Sequence, residues 1–248
     1  MKRVFSIIIL LLTLTIFVTS QSCDRIESHV RSLIKRYVAA PAKQTTVISH
    51  IPNGIDVSHH QGTIDWKTLA KDGRIQFAYI KATEGATYKD PDYKRNLEGA
   101  RKGGMLVGSY HYFRTTSSAH EQFENFKRAV PKDKQDLIPM VDIEERKHWT
   151  REQFQDSLKV FMRLMEQHYG KAPMIYSVQS FYSANAAPEF NGHPLMLGKY
   201  ESANPPVFKG RGHYTIWQYS ERGKLPGIPR YVDLSKFHPD CSIEDLKL

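Results

Sequence analysis

Cysteine is scarce: the 248 residues contain two, Cys23 and Cys241. Two cysteines do not make a disulfide framework. Long hydrophobic sequence is also lacking. The one extended apolar run, Val4 to Val18, is diluted by Thr13 and Thr15 and is short for a membrane span. No glycine-rich phosphate fingerprint follows the first strand-like segment, which removes the main reason to expect a dinucleotide-binding fold. Internal repeats and low-complexity tracts are absent. The formal net charge is +9, but the lysines and arginines are scattered. No basic block interleaves with aromatics as a nucleic-acid groove requires, so nucleic acid is not an expected partner. Weak attraction to an anionic polymer is what the charge implies.

The chain opens with Met1-Lys2-Arg3, the apolar run, and small or polar residues from Thr19 to Ser22. These are the three regions of a secretory signal, so residues 1–22 are expected to direct export to the periplasm, cell surface or exterior. Cys23 follows Ser20-Gln21-Ser22, a loose version of a bacterial lipoprotein box. A lipid anchor at Cys23, a retained signal segment and a Cys23–Cys241 disulfide all stay open. Residues 23–50 form the next region. Ile26, Val30, Leu33, Ile34 and Tyr37 recur at helical spacing, and Ala39 to Ser49 reads as a linker. Residues 51–248 then have the size of one domain.

That domain alternates strands with helices. Strands are expected at Ile51 to Ser58, Phe77 to Ala82, Met105 to Phe113, around Met140 to Glu145, Pro173 to Ser177, Leu195 to Tyr200, Tyr214 to Tyr219, and Tyr231 to Leu234. Helices are expected after Asp65, from Asp90-Pro91 to Gly103-Gly104, from Ser118 to Pro131, and from the Thr150/Gln153 capping box to Gly170. Eight strands separated by helices or long loops give an α/β fold, a single closed parallel TIM-like β/α barrel.

The chemistry-bearing residues cluster at the strand ends. In Met140-Val141-Asp142-Ile143-Glu144-Glu145, alternation puts Asp142 and Glu144 on one face and the aliphatics on the other. Their Cα atoms would lie roughly 6.6 Å apart, close enough for like charges to raise one pKa. Asp56 and Asp233 repeat the pattern of an acid between aliphatics, and Glu84 stands at a further strand end. In a barrel these ends converge on one mouth. Tyr110, Tyr112, Tyr176 and Trp217 lie on the same strands. Carboxylates beside aromatic faces favour a glycosidase, which needs one protonated carboxyl group and a second carboxylate. His59-His60 beside Asp56 invites a metal reading, but adjacent histidines point in different directions, so no metal is expected. His111 reads as a hydrogen-bonded barrel histidine.

Gly54-Ile55-Asp56-Val57-Ser58, Gln61-Gly62, Ile64-Asp65-Trp66, Lys81-Ala82-Thr83-Glu84-Gly85, Gly108 to Phe113, Asp142-Ile143-Glu144, Ile216-Trp217-Gln218-Tyr219 and Val232-Asp233-Leu234 together resemble glycoside hydrolase family 25, the Chalaropsis-type lysozymes or N-acetylmuramidases. The resemblance implies cofactor-free hydrolysis of the β-1,4 bond between N-acetylmuramic acid and N-acetylglucosamine in peptidoglycan glycan strands. It also implies Glu144 as general acid, Asp142 as its partner, and Asp56 and Asp233 as supporting carboxylates. Substrate contacts are expected from Glu84, Tyr110, Tyr112, Tyr176, Tyr200, Trp217 and Gln218. The chain departs from the family pattern at Met196 and Gly198, where a tryptophan and an alanine are usual. A wall-binding barrel without catalysis is the competing expectation, and oligomeric state is not legible.

Overall fold

The computed structural model describes residues 54–207 and 212–248. The expected signal segment, N-terminal helix, linker and Cys23 lie outside these residues. Nine strands form one sheet: β1 (Gly54–Val57), β2 (Phe77–Glu84), β3 (Tyr88–Lys89), β4 (Leu106–Tyr112), β5 (Met140–Asp142), β6 (Met174–Val178), β7 (Leu195–Gly198), β8 (Ile216–Gly223) and β9 (Val232–Phe237). Eight of them close on themselves in the order β1-β2-β4-β5-β6-β7-β8-β9, and β3 is a short hairpin partner of β2.

Local chemistry sets the helix ends. The Asp65 carboxylate accepts from the Thr68 N–H at 3.0 Å and starts α1 (Trp66–Ala70). Reciprocal Ser118/Glu121 and Thr150/Gln153 capping boxes start α3 (Ala119–Ala129) and α4 (Arg151–Tyr169). Gly170, at φ 87°, closes α4 in the left-handed conformation that glycine adopts without a Cβ clash. The helix expected at Asp90 begins later, as α2 (Tyr93–Lys102). Asp90 is occupied instead by the His59 and Asp92 backbone N–H groups. The sequence reading did not anticipate the short α5 (Gln179–Asn185).

The expectation of an all-parallel barrel is corrected at the last strand. β9 runs antiparallel to both β8 and β1, while every other neighbouring pair around the ring is parallel. Residues 224–231 are too few for the crossover of roughly a dozen residues or more that a parallel return needs, so β8 and β9 pair as a hairpin. The start of β9 therefore lies at the same barrel end as the finish of the other seven strands.

Alternation along the strands separates two apolar layers. Ile55, Val57, Ile80, Val107, Val141 and Leu197 face outward under Phe126, Phe154, Leu158 and Phe161 of the helices. Phe77, Tyr79, Met140, Met174, Met196 and Ile216 fill the lower interior. The C-terminal tail seals that lower end. Leu246, from a 3-10 turn over Ile243–Leu246, is fully buried in the interior layer, and its carbonyl accepts from Ile138 N–H at 2.8 Å. Leu246→Ala should cost about 2–5 kcal/mol, read by urea unfolding, because the cavity would open inside a rigid ring. A loss below about 0.5 kcal/mol would mean that the tail is only a surface appendage.

Candidate active site

Above the apolar half, the inward side chains turn polar. Asp56 and Asp233 are direct cross-strand partners, since β9 is antiparallel to β1. Such partners have Cβ atoms about 4.5–5.5 Å apart, near enough for two carboxyl groups to share a proton. Burial first, then the Asp233 charge, pushes the Asp56 pKa well up. Asp233 is also raised by burial, against the lowering effect of a hydrogen bond from Asp56. Burial and proximity together favour one proton on the pair. The Gln218 amide supports the pair from β8, its Nε2 donating to both Asp56 oxygens at 3.0 and 2.9 Å. Tyr176 and Tyr200 both donate to Gln218 Oε1, and their hydroxyls lie 2.7 Å apart.

This network explains one departure from the family pattern. A Cβ on Gly198 would stand 2.8 Å from the Tyr200 hydroxyl and 3.1 Å from that of Tyr176. The glycine makes room for the two hydroxyls to converge.

Across the mouth, Asp142 ends β5 and Glu144 follows two residues later, with Ile143 buried outward between them. Asp142 is 7 % exposed, and its Oδ1 finds no donor among the described residues. Burial and then the Glu144 charge raise its pKa well above its ordinary value. Glu144 opens to solvent on the cleft side but is crowded by protein elsewhere, and this partial desolvation raises its pKa too. The Tyr112 hydroxyl donates to Glu144 Oε2 at 3.3 Å. Tyr112 is itself held between cations, with Lys81 Nζ 5.1 Å and Arg114 Cζ 4.5 Å from its ring centre.

Those cations settle the state of Glu84. Burial would raise its pKa, but Lys81 at 2.7 Å and Arg114 Nε at 2.8 Å outweigh burial and lower it. Glu84 is held as an anion and does not serve as a reserve proton donor. Arg114 also pairs with Glu145, whose other partner is Lys147 at 3.3 Å. The sequence reading gave Lys81 and Arg114 no role. Three residues apart on a regular strand, Lys81 and Glu84 would face opposite ways. A bulge between Lys81 and Thr83 shifts the register and brings both inward.

The structure brings Asp56, Asp142, Asp233, Glu144, Glu84, Tyr110, Tyr112, Tyr176, Tyr200 and Gln218 to one mouth. Tyr110 lies among the acids, its pKa pushed well up by burial and then by Asp142, Asp56 and Asp233. Trp217 is the correction. It faces outward from β8, is 5 % exposed, donates to the Lys199 carbonyl, and has Lys236 Nζ 4.5 Å from its ring centre. Strand alternation that turns Gln218 inward turns Trp217 away, and its ring has no open face for a sugar. His59 sits on a 3-10 turn with Nδ1 2.7 Å from Asp90 Oδ2. His111 is buried on the outer face between Thr83 and Gln122, and burial pushes its pKa down to about 4. It is a neutral structural histidine.

The shared proton gives a pH test. A carboxyl group whose folded pKa is raised contributes fully below its ordinary value, 3.8 for Asp56, and loses that contribution as pH rises through the folded value. Asp56→Asn keeps an oxygen for Gln218 and a permanent N–H for Asp233. It should melt above the wild type at pH 7 and match it below about pH 3.5, as followed by circular dichroism. An equal or lower melting temperature at pH 7 would show that the pair stores no proton.

Comparison with known proteins places this geometry. Residues 55–228 match the model of the glycosyl hydrolases family 25. The uncharacterized protein YegX of Escherichia coli K12 is 36 % identical over 226 residues, covering 88 % of this chain and 82 % of that protein. Lysozyme M1 of Streptomyces globisporus is 30 % identical over 199 residues, covering 75 % of this chain and 67 % of that protein. A family 25 glycosyl hydrolase from Bacillus anthracis superposes with a TM-score of 0.69 at 34 % identity, covering 75 % of this chain and 88 % of that one. With that sequence match, that barrel and an acid-lined mouth, the chain belongs to glycosyl hydrolase family 25 and is a glycosidase of the lysozyme type.

Proposed function

We propose that the protein is an exported N-acetylmuramidase that cleaves the β-1,4 bond between N-acetylmuramic acid and N-acetylglucosamine. Family membership supports peptidoglycan as the substrate. The apolar run after Lys2-Arg3 and a wall substrate both support export.

In this reading Glu144 is the general acid. Its raised pKa keeps a proton available, and the cleft side of its carboxyl group is open to a leaving glycosidic oxygen. Tyr112, fixed between Lys81 and Arg114, orients it.

The observation that carries the mechanism is the buried, unpartnered Oδ1 of Asp142. A buried acceptor left unpaired costs about 1–3 kcal/mol, and the N–H of a substrate 2-acetamido group supplies the missing donor. Held this way, the acetamido oxygen attacks the anomeric carbon while Glu144 protonates the departing oxygen. The hydrogen bond from the substrate amide favours the ionised form of Asp142, which then stabilises the positive charge that develops on the amide. Glu144 then takes a proton from water, which opens the cyclic intermediate with net retention. Asp142 and Glu144 on one strand face suit this route. A nucleophile and an acid working separately would have to grip the sugar from opposite sides. Asp56 and Asp233, with Gln218, line the opposite side and supply hydrogen bonds and electrostatic support.

Glu144→Gln should lower release of new reducing ends from peptidoglycan on the order of 10²- to 10⁴-fold, with the melting temperature unchanged. Near-wild-type turnover would move the acid elsewhere, and no turnover by the wild type would leave a wall-binding barrel.

The stereochemistry has its own test, NMR of the first-formed anomer before mutarotation. The proposed route gives the β product. An α product would replace it with inversion, in which a carboxylate about 6.5–9.5 Å from the acid places the water.

A further inference from the structure

We propose that His213, His238 and Cys241 form a binding site for a borderline-soft divalent cation of the zinc class, at the barrel end opposite the acids. One ligand atom from each residue lies within 4.8 Å of the other two. Two imidazoles and a thiolate are donors that zinc sites use, and their chemistry favours zinc over the oxygen-seeking magnesium and calcium.

The three donors come from two distant stretches of chain. His213 precedes β8, and His238 and Cys241 follow β9. The start of β8 and the finish of β9 meet at the lower end of the barrel, away from Asp142 and Glu144. Backbone hydrogen bonds fix this meeting. His238 N–H donates to the Thr215 carbonyl at 2.9 Å, and Cys241 N–H donates to the His238 carbonyl at 2.9 Å. The second bond closes a turn that sets the two tail donors relative to each other. Tyr214 packs edge-on against the His238 ring at 4.9 Å.

The rings of His213 and His238 stack with centres 4.4 Å apart and planes 15° apart. A cation must lie near the plane of each imidazole it binds, so one ring has to turn. His213, exposed on the rim, is the one placed to do so. Metal–ligand bonds of about 2.0–2.3 Å in a tetrahedron set ligand atoms roughly 3.3–3.8 Å apart, so the widest pair, at 4.8 Å or less, closes by at most about 1.5 Å on binding. Asp240 serves the His238 ring from the other side. Its backbone N–H donates to Nδ1 at 3.2 Å, and its Oδ2 stands 3.7 Å from the same nitrogen. A cation at Nε2 requires the ring proton to move to Nδ1, which exchanges the contact with the Asp240 N–H for a bond donated to the Asp240 carboxylate, an arrangement that orients metal-bound histidines. Cys241 binds as thiolate and releases its proton to solvent.

A cation here would tie the tail to the start of β8. Because Leu246 of that tail closes the barrel interior, the expected effect is on stability, with hydrolysis unchanged.

The test uses the reduced full-length chain. Co²⁺ should produce a thiolate-to-cobalt charge-transfer band at one equivalent, and Zn²⁺ should abolish it by displacement. Zn²⁺ at about 100 times its Kd should raise the melting temperature by roughly 5–10 °C. Cys241→Ser and His213→Ala should each lose the band and the shift while keeping wild-type peptidoglycan hydrolysis, and Cys23→Ser should keep both. Absence of the band in the wild type would overturn the site. So would a band that survives Cys241→Ser, or an equal Zn²⁺ shift in His213→Ala.

Discussion

Besides the ion-paired Glu84, four carboxyl groups occupy one barrel mouth, and their mutual repulsion is the constraint to which the surrounding residues answer. Burial disfavours each anion, and proximity makes every further ionisation harder. The fold answers differently at the two sides. Asp56 and Asp233 face each other under the Gln218 amide, where burial and proximity favour a proton on the pair. Asp142 and Glu144 lie where Lys81 and Arg114 offset part of their repulsion through space and through Tyr112. The outcome is a mouth that holds protons on some carboxyl groups at a pH where isolated ones would have lost them. Proton transfer to a leaving group needs that condition.

The apolar lower half makes this tolerable. Phe77, Tyr79, Met140, Met174, Met196 and Ile216 pack the interior, and Leu246 caps it. Water therefore reaches the acids from the mouth side alone, and the low dielectric below them strengthens every interaction above. The exposed ion pairs elsewhere, such as Lys159 with Glu189, add little by comparison because water screens both partners.

The two ends of the barrel divide the labour. The acids gather where seven strands finish and one begins. The tail, the start of β8 and the His213/His238/Cys241 cluster gather at the other end, where changes in stability leave the cleft chemistry untouched. β9 serves both ends. Its first residues bring Asp233 to Asp56, and the turn after it carries His238 and Cys241 to the start of β8.

Much of this was legible in the residues. Period-two alternation gave the facing of Asp142 and Glu144, and the capping boxes at Ser118 and Thr150 marked two helix starts, because each depends on neighbours within a few positions. Strand alternation also contained the reason Trp217 leaves the cleft, since it and Gln218 cannot face the same way. Tertiary structure alone decided what depends on distant partners. The antiparallel course of β9 set Asp233 opposite Asp56, and a single bulge in β2 turned Lys81 and Glu84 to the same side. Closure of the ring turned four scattered acids into one coupled set. Local spacing fixes which way a side chain points, but the pKa of a carboxyl group is set by what the folded chain places around it, and those neighbours come from strands tens of residues away.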